Sequence, residues 1–313
     1  MNESSKVDLV GVGLNATDTL IRLPHYPSLG SKVEFRSAEI LPGGQVATAV
    51  AACQQWGLRT RYVGKIGDDT AATIHRAEFG RLGVETHLLA ASGCASQQAV
   101  ILVDDAGERT VLWKRDNRLT LQPEELQREW ITHARALHLD GHDTAAAIVA
   151  ANWARTAGVP VIADLDDLYP GVDALLGQID YLITSRDIPG RLTGEPDLRK
   201  SLPAVHSRYG CRLSAATLGE EGVLAWDGSQ FLYAPAFRVH PLDTTGAGDI
   251  FHAGFIYGLL QGWPLPRQLD FACAAAALNC TAHGARGGIQ SVGNIEKLVT
   301  TGPRHAPAFD VSK

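Results

Sequence analysis

The chain has little cysteine, and what it has is odd in number. Cys53, Cys94, Cys211, Cys273 and Cys280 make five, with no paired ligand spacing, which argues against both a disulfide frame and a structural zinc site. They read as reduced, buried, small apolar residues. Long apolar runs are also missing: none approaches the roughly 20 residues of a membrane span, so no membrane partner is expected. Met1 to Asp8 is short and polar, without the apolar core of a secretory leader, and a cytoplasmic location is the expectation. Excess positive charge is absent as well. The formal net charge is −6, with Asp and Glu spread along the chain, so a nucleic-acid partner gripped through its phosphates is not expected. Repeats, linkers and low-complexity segments are lacking.

What is present is an α/β rhythm. The short apolar runs Val7 to Val12, Arg59 to Ile66, Ala136 to Leu139, Val159 to Ala163, Tyr181 to Thr184 and Leu213 to Thr217 alternate with longer helical patterns such as Thr144 to Ala157. That alternation predicts a doubly wound, largely parallel sheet flanked by helices. At 313 residues one large α/β domain with a small appendage is expected, and such a chain can bury most of its apolar surface. Two stretches break the rhythm: Asp18 to Ile40, with Pro24, Pro27 and Gly30, and Gln97 to Leu112, with the turn Asp104 to Gly107. Both read as hairpin-type strands with too little core of their own. Gly11-Val12-Gly13-Leu14-Asn15-Ala16 fits a loose dinucleotide fingerprint, but no helix opens there: Asp18 to Leu23 is rich in β-formers and two prolines follow.

The most informative segment is Asp243-Thr244-Thr245-Gly246-Ala247-Gly248-Asp249, a polar turn running into the apolar stretch Ile250 to Leu260. Phe251, Phe255 and Leu259 recur every four residues, with Gly254 and Gly258 between them, so a helix with one buried face starts near Ala247. Its first amides lack intrahelical partners and carry the positive end of the helix dipole, and glycines 246 and 248 let a phosphate approach bare backbone. An acid at that spot needs a reason, since Asp249 would repel the phosphate; accepting a proton from an attacking hydroxyl is one. Phosphoryl transfer asks for in-line positioning, stabilisation of charge on the transferred group and a base, and this turn could supply the last two. The bland alternative, two acids that merely open a helix, accounts poorly for all seven residues.

This run, followed by Phe251 and Gly254, resembles the second signature of the ribokinase-like (PfkB) carbohydrate kinases, in which the last Asp is the base and the glycine turn the anion hole. The resemblance extends from about Val7 to Val292. Gly43-Gly44 opens an alanine-rich helix, Val46 to Trp56, as in the family's first signature, and Val63 to Asp69 matches the segment that follows. Thr217-Leu218-Gly219-Glu220-Glu221-Gly222 resembles the nucleotide-contacting turn, although it also reads as an ordinary hairpin turn. Ala274 to Ala277 and Thr281 to Ala285 resemble the helix and turn beside the adenine. The resemblance thus implies ATP as donor with Mg2+, contacts to nucleotide from Thr217, Gly219, Gly222, Thr245, Gly246, Gly248 and Asn279, and catalysis by Asp249 with Gly246, Ala247 and Gly248. It further implies a small β-sheet lid over the sugar, formed by residues about 15–41 and 96–115, whose edge pairs two subunits into a homodimer.

For the acceptor, hydroxyls are held best by carboxylates and amides. Asp18 stands at the end of the first strand, nine residues before Pro27, as the family's sugar-contacting Asp does; Asn15 is its companion or a turn-stabilising residue. Gly43, Gly44 and Thr48 complete the implied set. The family usually has Asn where this chain has Thr48, which offers one hydroxyl in place of a carbonyl and an amine. Arg109, Lys114, Arg115 and Arg118 would clamp a phosphate or sulfonate on the substrate; a solvated strand edge is the favoured reading, with Arg109 the exception because it resembles a position that reaches the site in ketohexokinase-like members. The family's metal-organising Asn and Glu are replaced by Ser185 and Ile188 ahead of Leu192-Thr193-Gly194. Asp164 or Asp166 would then support the magnesium water shell, and Asp243 would be the ligand of a K+-like ion. Loss of the pair makes the ketohexokinase-like branch the nearer resemblance. The reading is an ATP-dependent sugar kinase; the alternatives are a nucleoside or phosphorylated-ketose kinase of the same fold, or a sugar or nucleotide sensor without turnover.

Overall fold

The computed structural model describes residues 6–105 and 109–310. Gly107 and Glu108, at the tip of the second irregular stretch, therefore lie outside the described residues, as do the first five residues of the polar start.

The strands are β1 (Val7–Val12), β2 (Ala16–Arg22), β3 (Ser37–Gly43), β4 (Thr60–Ile66), β5 (Glu85–Ala90), β6 (Gln98–Val103), β7 (Arg109–Lys114), β8 (Ala134–Leu139), β9 (Val161–Leu165), β10 (Tyr181–Ser185), β11 (Leu213–Thr217), β12 (Val223–Trp226) and β13 (Phe231–Ala234). The helices are α1 (Gln45–Gln55), α2 (Thr70–Leu82), α3 (Arg128–Thr132), α4 (Thr144–Thr156), α5 (Val172–Leu176), α6 (Ile188–Thr193), α7 (Leu198–Tyr209), α8 (Ala247–Leu260), α9 (Leu265–Asn279) and α10 (Val292–Thr301).

Nine strands form one sheet in the order β13-β12-β11-β10-β9-β8-β1-β4-β5. Pairing is parallel from β11 across to β5, and antiparallel only at the β11–β12 and β12–β13 edge. The central strands are mostly buried, β9 at every residue, as expected of a sheet covered on both faces. One core, rich in α1, α8 and α9 side chains, covers one face; another, with Ala146, Ala147, Ala150 and Ala154 of α4, covers the other. Alanine on these helices brings them close to the sheet. The expectation left out β5, β12 and β13: β5 is only half-buried, and the last two are four residues each, too short for a periodic signal.

The second sheet has four strands in the order β3-β2-β6-β7, the small lid expected from the two irregular stretches. Asp18 differs from its expected place. It is not at the end of the first strand, which stops at Val12, but within β2, opposite Leu41 of β3 and Ala99 of β6. Residues 23–36 add no strand to the lid, in keeping with Pro24, Pro27 and Gly30. All five cysteines are free and buried.

Helices α8 and α9 pack at Gly254, where an added Cβ would come within 2.7 Å of the Ala272 Cα. Gly254→Ala is therefore expected to lower stability by about 1–3 kcal/mol in urea unfolding, whereas Gly293→Ala, where a Cβ meets nothing within 4 Å, should be neutral or mildly stabilising. Equal effects at the two positions would contradict the close packing.

Candidate active site

The polar turn 243–249 is held open by two buried side chains. Asp243 is 4% exposed; one of its carboxylate oxygens accepts the Thr245 amide and the other the Gly284 amide, each at 2.8 Å. Asn279, fully buried, donates to the carbonyls of Thr245 (3.3 Å) and Ala285 (3.1 Å) and accepts the Gly288 amide at 3.2 Å. The two thereby tie the turn before α8 to the turn after α9. Gly246 is the N-cap of α8 at φ 75°, a left-handed conformation suited to glycine, and a Cβ there would lie 2.5 Å from the Ala285 carbonyl oxygen. A Cβ on Gly248 would meet nothing within 4 Å. The two glycines thus serve different ends: Gly246 shapes the turn, and Gly248 leaves the helix N-terminus accessible. No side chain caps that end, so its dipole is available to an anion. One expected donor is occupied: the Ala247 amide bonds the Thr244 carbonyl at 3.3 Å.

Beside this N-terminus is a cavity of 420 Å³, within the size range of small-molecule sites. Thr217, Gly219, Gly222, Ala247 and Gly248 line it, and Phe237, Phe251, Ala276 and Cys280 give it apolar walls. The Thr217–Gly222 turn joins β11 to the antiparallel β12, so its two readings hold together: it is a hairpin turn, and it faces the cavity. Thr245, Gly246 and Asn279 do not line the cavity. The Asn279 amide is engaged in the loop clamp. His305, from the C-terminal tail, lines the cavity without having been anticipated; nothing in its sequence neighbourhood signals this, since a bond from its amide to Ala236 brings the tail there.

On the other side of Asp249 lies the underside of the lid. Asp18 is 6% exposed and sits against Gly43, where a Cβ would collide with its carboxylate. Gly43 ends β3 and Gly44, at φ 94°, caps α1. Asn15 is buried and donates to the Tyr62 hydroxyl (2.9 Å) and the Lys65 carbonyl (3.0 Å); among the described residues no group donates to its Oδ1. Thr48 is fully buried and its hydroxyl accepts from Arg286 Nε at 3.1 Å. Arg286 also bonds the Gly43 carbonyl at 2.9 Å and pairs with Glu78. Arg109 is exposed at the start of β7, near enough to Cys280 for its charge to favour the thiolate. Arg115 bonds Asp143 and Arg118 bonds Asp116, both at 2.7 Å, so no convergent anion clamp forms from them.

Four carboxylates converge between cavity and lid. Asp249 keeps some exposed surface, yet its carboxyl is enclosed by protein and pushed up to about 8 by burial, then by the charges of Asp164, Asp18 and Asp166, with Arg286 opposing. Asp164, at the end of β9, is raised to about 8 by burial and by Asp166, while Gln45 bonds its carboxyl. Asp18 is raised to about 6 by burial, against the pull of Arg286. His252, one turn after Asp249 on α8, approaches Asp164 Oδ1 with Nε2 at 3.2 Å. Burial lowers His252 to about 3, so it is neutral and the contact is a hydrogen bond. The i, i+3 spacing of Asp249 and His252 was the signal that both face inward. Ser185 ends β10 and Ile188 is fully buried at the start of α6, leaving Asp164 and Asp166 as the oxygen donors in that quarter. No group of three or more His, Cys, Asp or Glu side chains placed to hold a metal occurs among the described residues. Asp243, expected as a monovalent-ion ligand, has both oxygens bonded to amides and acts as a clamp.

The family model of the pfkB family carbohydrate kinases matches residues 11–291. The chain belongs to that family. It is accordingly a phosphotransferase with an alcohol group as acceptor, a sugar kinase. The chain is 25% identical to a 5-dehydro-2-deoxygluconokinase of Geobacillus thermodenitrificans, over 95% of this chain and 94% of the relative. It is 31% identical to an ATP-dependent ribose-1-phosphate kinase of Halopiger xanaduensis, over 86% of this chain and 90% of the relative. The fold matches the structure of Arabidopsis thaliana ribokinase complexed with ribose and ATP at a TM-score of 0.83 and 24% identity, over 95% of this chain and 99% of that one. The pfkB kinase fold thus comprises both sheets, the large parallel one and the lid. No helix among the described residues is long and apolar enough to cross a membrane.

The raised Asp249 has a thermodynamic signature. An unfolded Asp ionises near 3.9 and the native one near 8, so between these values the native state binds more protons and stability falls as pH rises. Asp249→Asn removes this penalty. In urea unfolding its stability relative to the unsubstituted protein is expected to improve from pH 5.5 to pH 8.5; a difference independent of pH would contradict the assigned environment.

Proposed function

We propose that this pfkB kinase transfers the γ-phosphoryl group of ATP to a sugar hydroxyl, with Asp249 as the base. The observation that carries the reading is the position of Asp249: in the first turn of an uncapped helix, between a 420 Å³ cavity and the lid acid Asp18. ATP occupies the cavity with its base against the apolar walls and its phosphates towards the N-terminus of α8. The acceptor lies under the lid, with Asp18 and the unpartnered Asn15 Oδ1 accepting bonds from its hydroxyls.

In the transfer, the acceptor O–H gives its proton to the Asp249 carboxylate as the oxygen bonds to the γ-phosphorus; the bond from that phosphorus to the β–γ bridging oxygen breaks, and ADP leaves with the electron pair. The amides of Gly246 and Gly248 hold the transferred group, and that of Ala247 joins them by releasing Thr244. Lid strands β2 and β3 keep water from the reacting atoms. Asp164 and Asp166 are the oxygen donors that would hold the waters of a magnesium ion, which would supply positive charge to the phosphates. His252 and Gln45 keep the Asp164 carboxyl in place. The lost Asn/Glu pair, now Ser185 and Ile188, favours the ketohexokinase-like branch.

ADP release from ATP and magnesium, measured with ribose, fructose, other ketoses, their phosphates and nucleosides, tests this reading. Turnover with one acceptor is expected, falling roughly a hundred- to ten-thousand-fold in Asp249→Asn with ATP affinity nearly unchanged. Full activity in the variant would remove Asp249 from the role, and sugar binding without phosphate transfer would favour a sensor.

The lid also bears on assembly. Ile40 of β3 and Val111, Leu112 and Trp113 of β7 are exposed, Trp113 at 67%, and β7 is an edge strand. Apolar side chains on an open edge support pairing with a second copy. Light scattering after gel filtration should give a homodimer, and Leu112→Asp with Trp113→Lys a monomer; a monomeric unsubstituted protein would contradict the pairing.

A further inference from the structure

Arg286 is a buried cation in a part of the molecule where every other charge nearby is negative or titratable. Its side chain is 5% exposed and Glu78 opposite is 13% exposed. The guanidinium makes three bonds to three separate elements: Nε to Thr48 on α1, one terminal nitrogen to Glu78 on α2, and the other to the Gly43 carbonyl at the end of β3. Its Cζ lies 5.7 Å from the centre of the Phe79 ring. Asp249, Tyr62, Asp18 and His75 are further ionisable groups within reach of its charge. The residue itself belongs to the turn that Asp243 and Asn279 clamp against the N-terminus of α8.

One side chain therefore joins the lid, the first helix and the anion turn. The Thr48 hydroxyl accepts from Nε, and that bond fixes the direction in which its own O–H can point. Three bonds use three of the five N–H groups of a guanidinium, leaving two on the same rigid fork. A lysine could not replace this: its ammonium is a point charge with no planar fork.

We propose that Arg286 is the positioning residue of the acceptor pocket, bracing Gly43 against Thr48 and presenting its remaining N–H groups to an oxygen of a polyhydroxylated acceptor. Asp18 and Asn15 Oδ1 take the acceptor's hydroxyl protons, and Arg286 supplies the complementary donors. Acceptor recognition thus depends on a residue 238 positions away from Thr48 in sequence. The inference rests on the sugar-kinase reading above.

The test uses Arg286→Lys and the double variant Arg286→Gln with Glu78→Gln, which removes both buried charges together and so avoids leaving Glu78 unpaired. ADP release is measured with D-fructose and D-ribose, and KM is determined separately for ATP and for whichever of the two the unsubstituted protein uses better, with melting temperature as the folding control. Both variants are expected to raise the acceptor KM at least tenfold while the ATP KM stays within twofold. An unchanged acceptor KM, or an ATP KM rising in parallel, would overturn the proposal, as would full recovery in Arg286→Lys. Turnover that is lost in Asp249→Asn but keeps its acceptor KM in the Arg286 variants would sink this inference alone. No turnover with either sugar in the unsubstituted protein would sink it together with the reading of these sugars as acceptors.

Discussion

The structure depends on keeping the N-terminus of α8 bare. A helix end without a capping side chain leaves its first donors unsatisfied and its dipole uncompensated, a cost most helices avoid. Here the turn takes up the Ala247 amide through the Thr244 carbonyl and is fastened by Asp243 and Asn279 to the segment 284–288 from behind. Both residues are buried, and their polar groups are used for shape. The anion site is thus built by residues that need not touch the anion, and it stays open on the cavity side at Gly248.

The second constraint is electrostatic. Asp249, Asp164, Asp166 and Asp18 arrive from α8, from β9 and its following loop, and from the lid, and burial and the neighbouring charges favour bound protons on Asp249, Asp164 and Asp18. Arg286 and the positive end of α8 offset part of that. A site so arranged has the most to gain from positive charge and from a ligand rich in hydroxyls. It also couples the lid to the N-terminus of α8, because the lid acid Asp18 and the helix acid Asp249 repel one another.

Much of this was legible in the sequence because it rests on local pattern. The heptapeptide 243–249 and the four-residue apolar repeat after it placed the start of α8 at Ala247, where it lies. Apolar runs placed the parallel strands, and breaks in the rhythm marked the lid. What escaped has no local signature. Thr48 has the residue type of a hydroxyl ligand, yet its use is decided by Arg286, far away in sequence. The clamp role of Asn279 joins two turns that only tertiary packing brings together. Asp18 was assigned to the wrong strand because Gly13 to Asn15 does not read as a break between two strands of different sheets. His305 reaches the cavity only because the tail folds back along Ala236.

The central claim is geometric: one carboxylate stands between the phosphoryl group and the hydroxyl it moves to. A crystal structure with a non-hydrolysable ATP analogue, magnesium and the acceptor sugar tests it directly. The account predicts an Asp249 oxygen within about 2.6–3.2 Å of the attacking hydroxyl, that hydroxyl in line with the γ-phosphorus, and the Gly248 amide directed at the γ-phosphate. A hydroxyl bound out of reach of Asp249, or phosphates lying away from the N-terminus of α8, would contradict it.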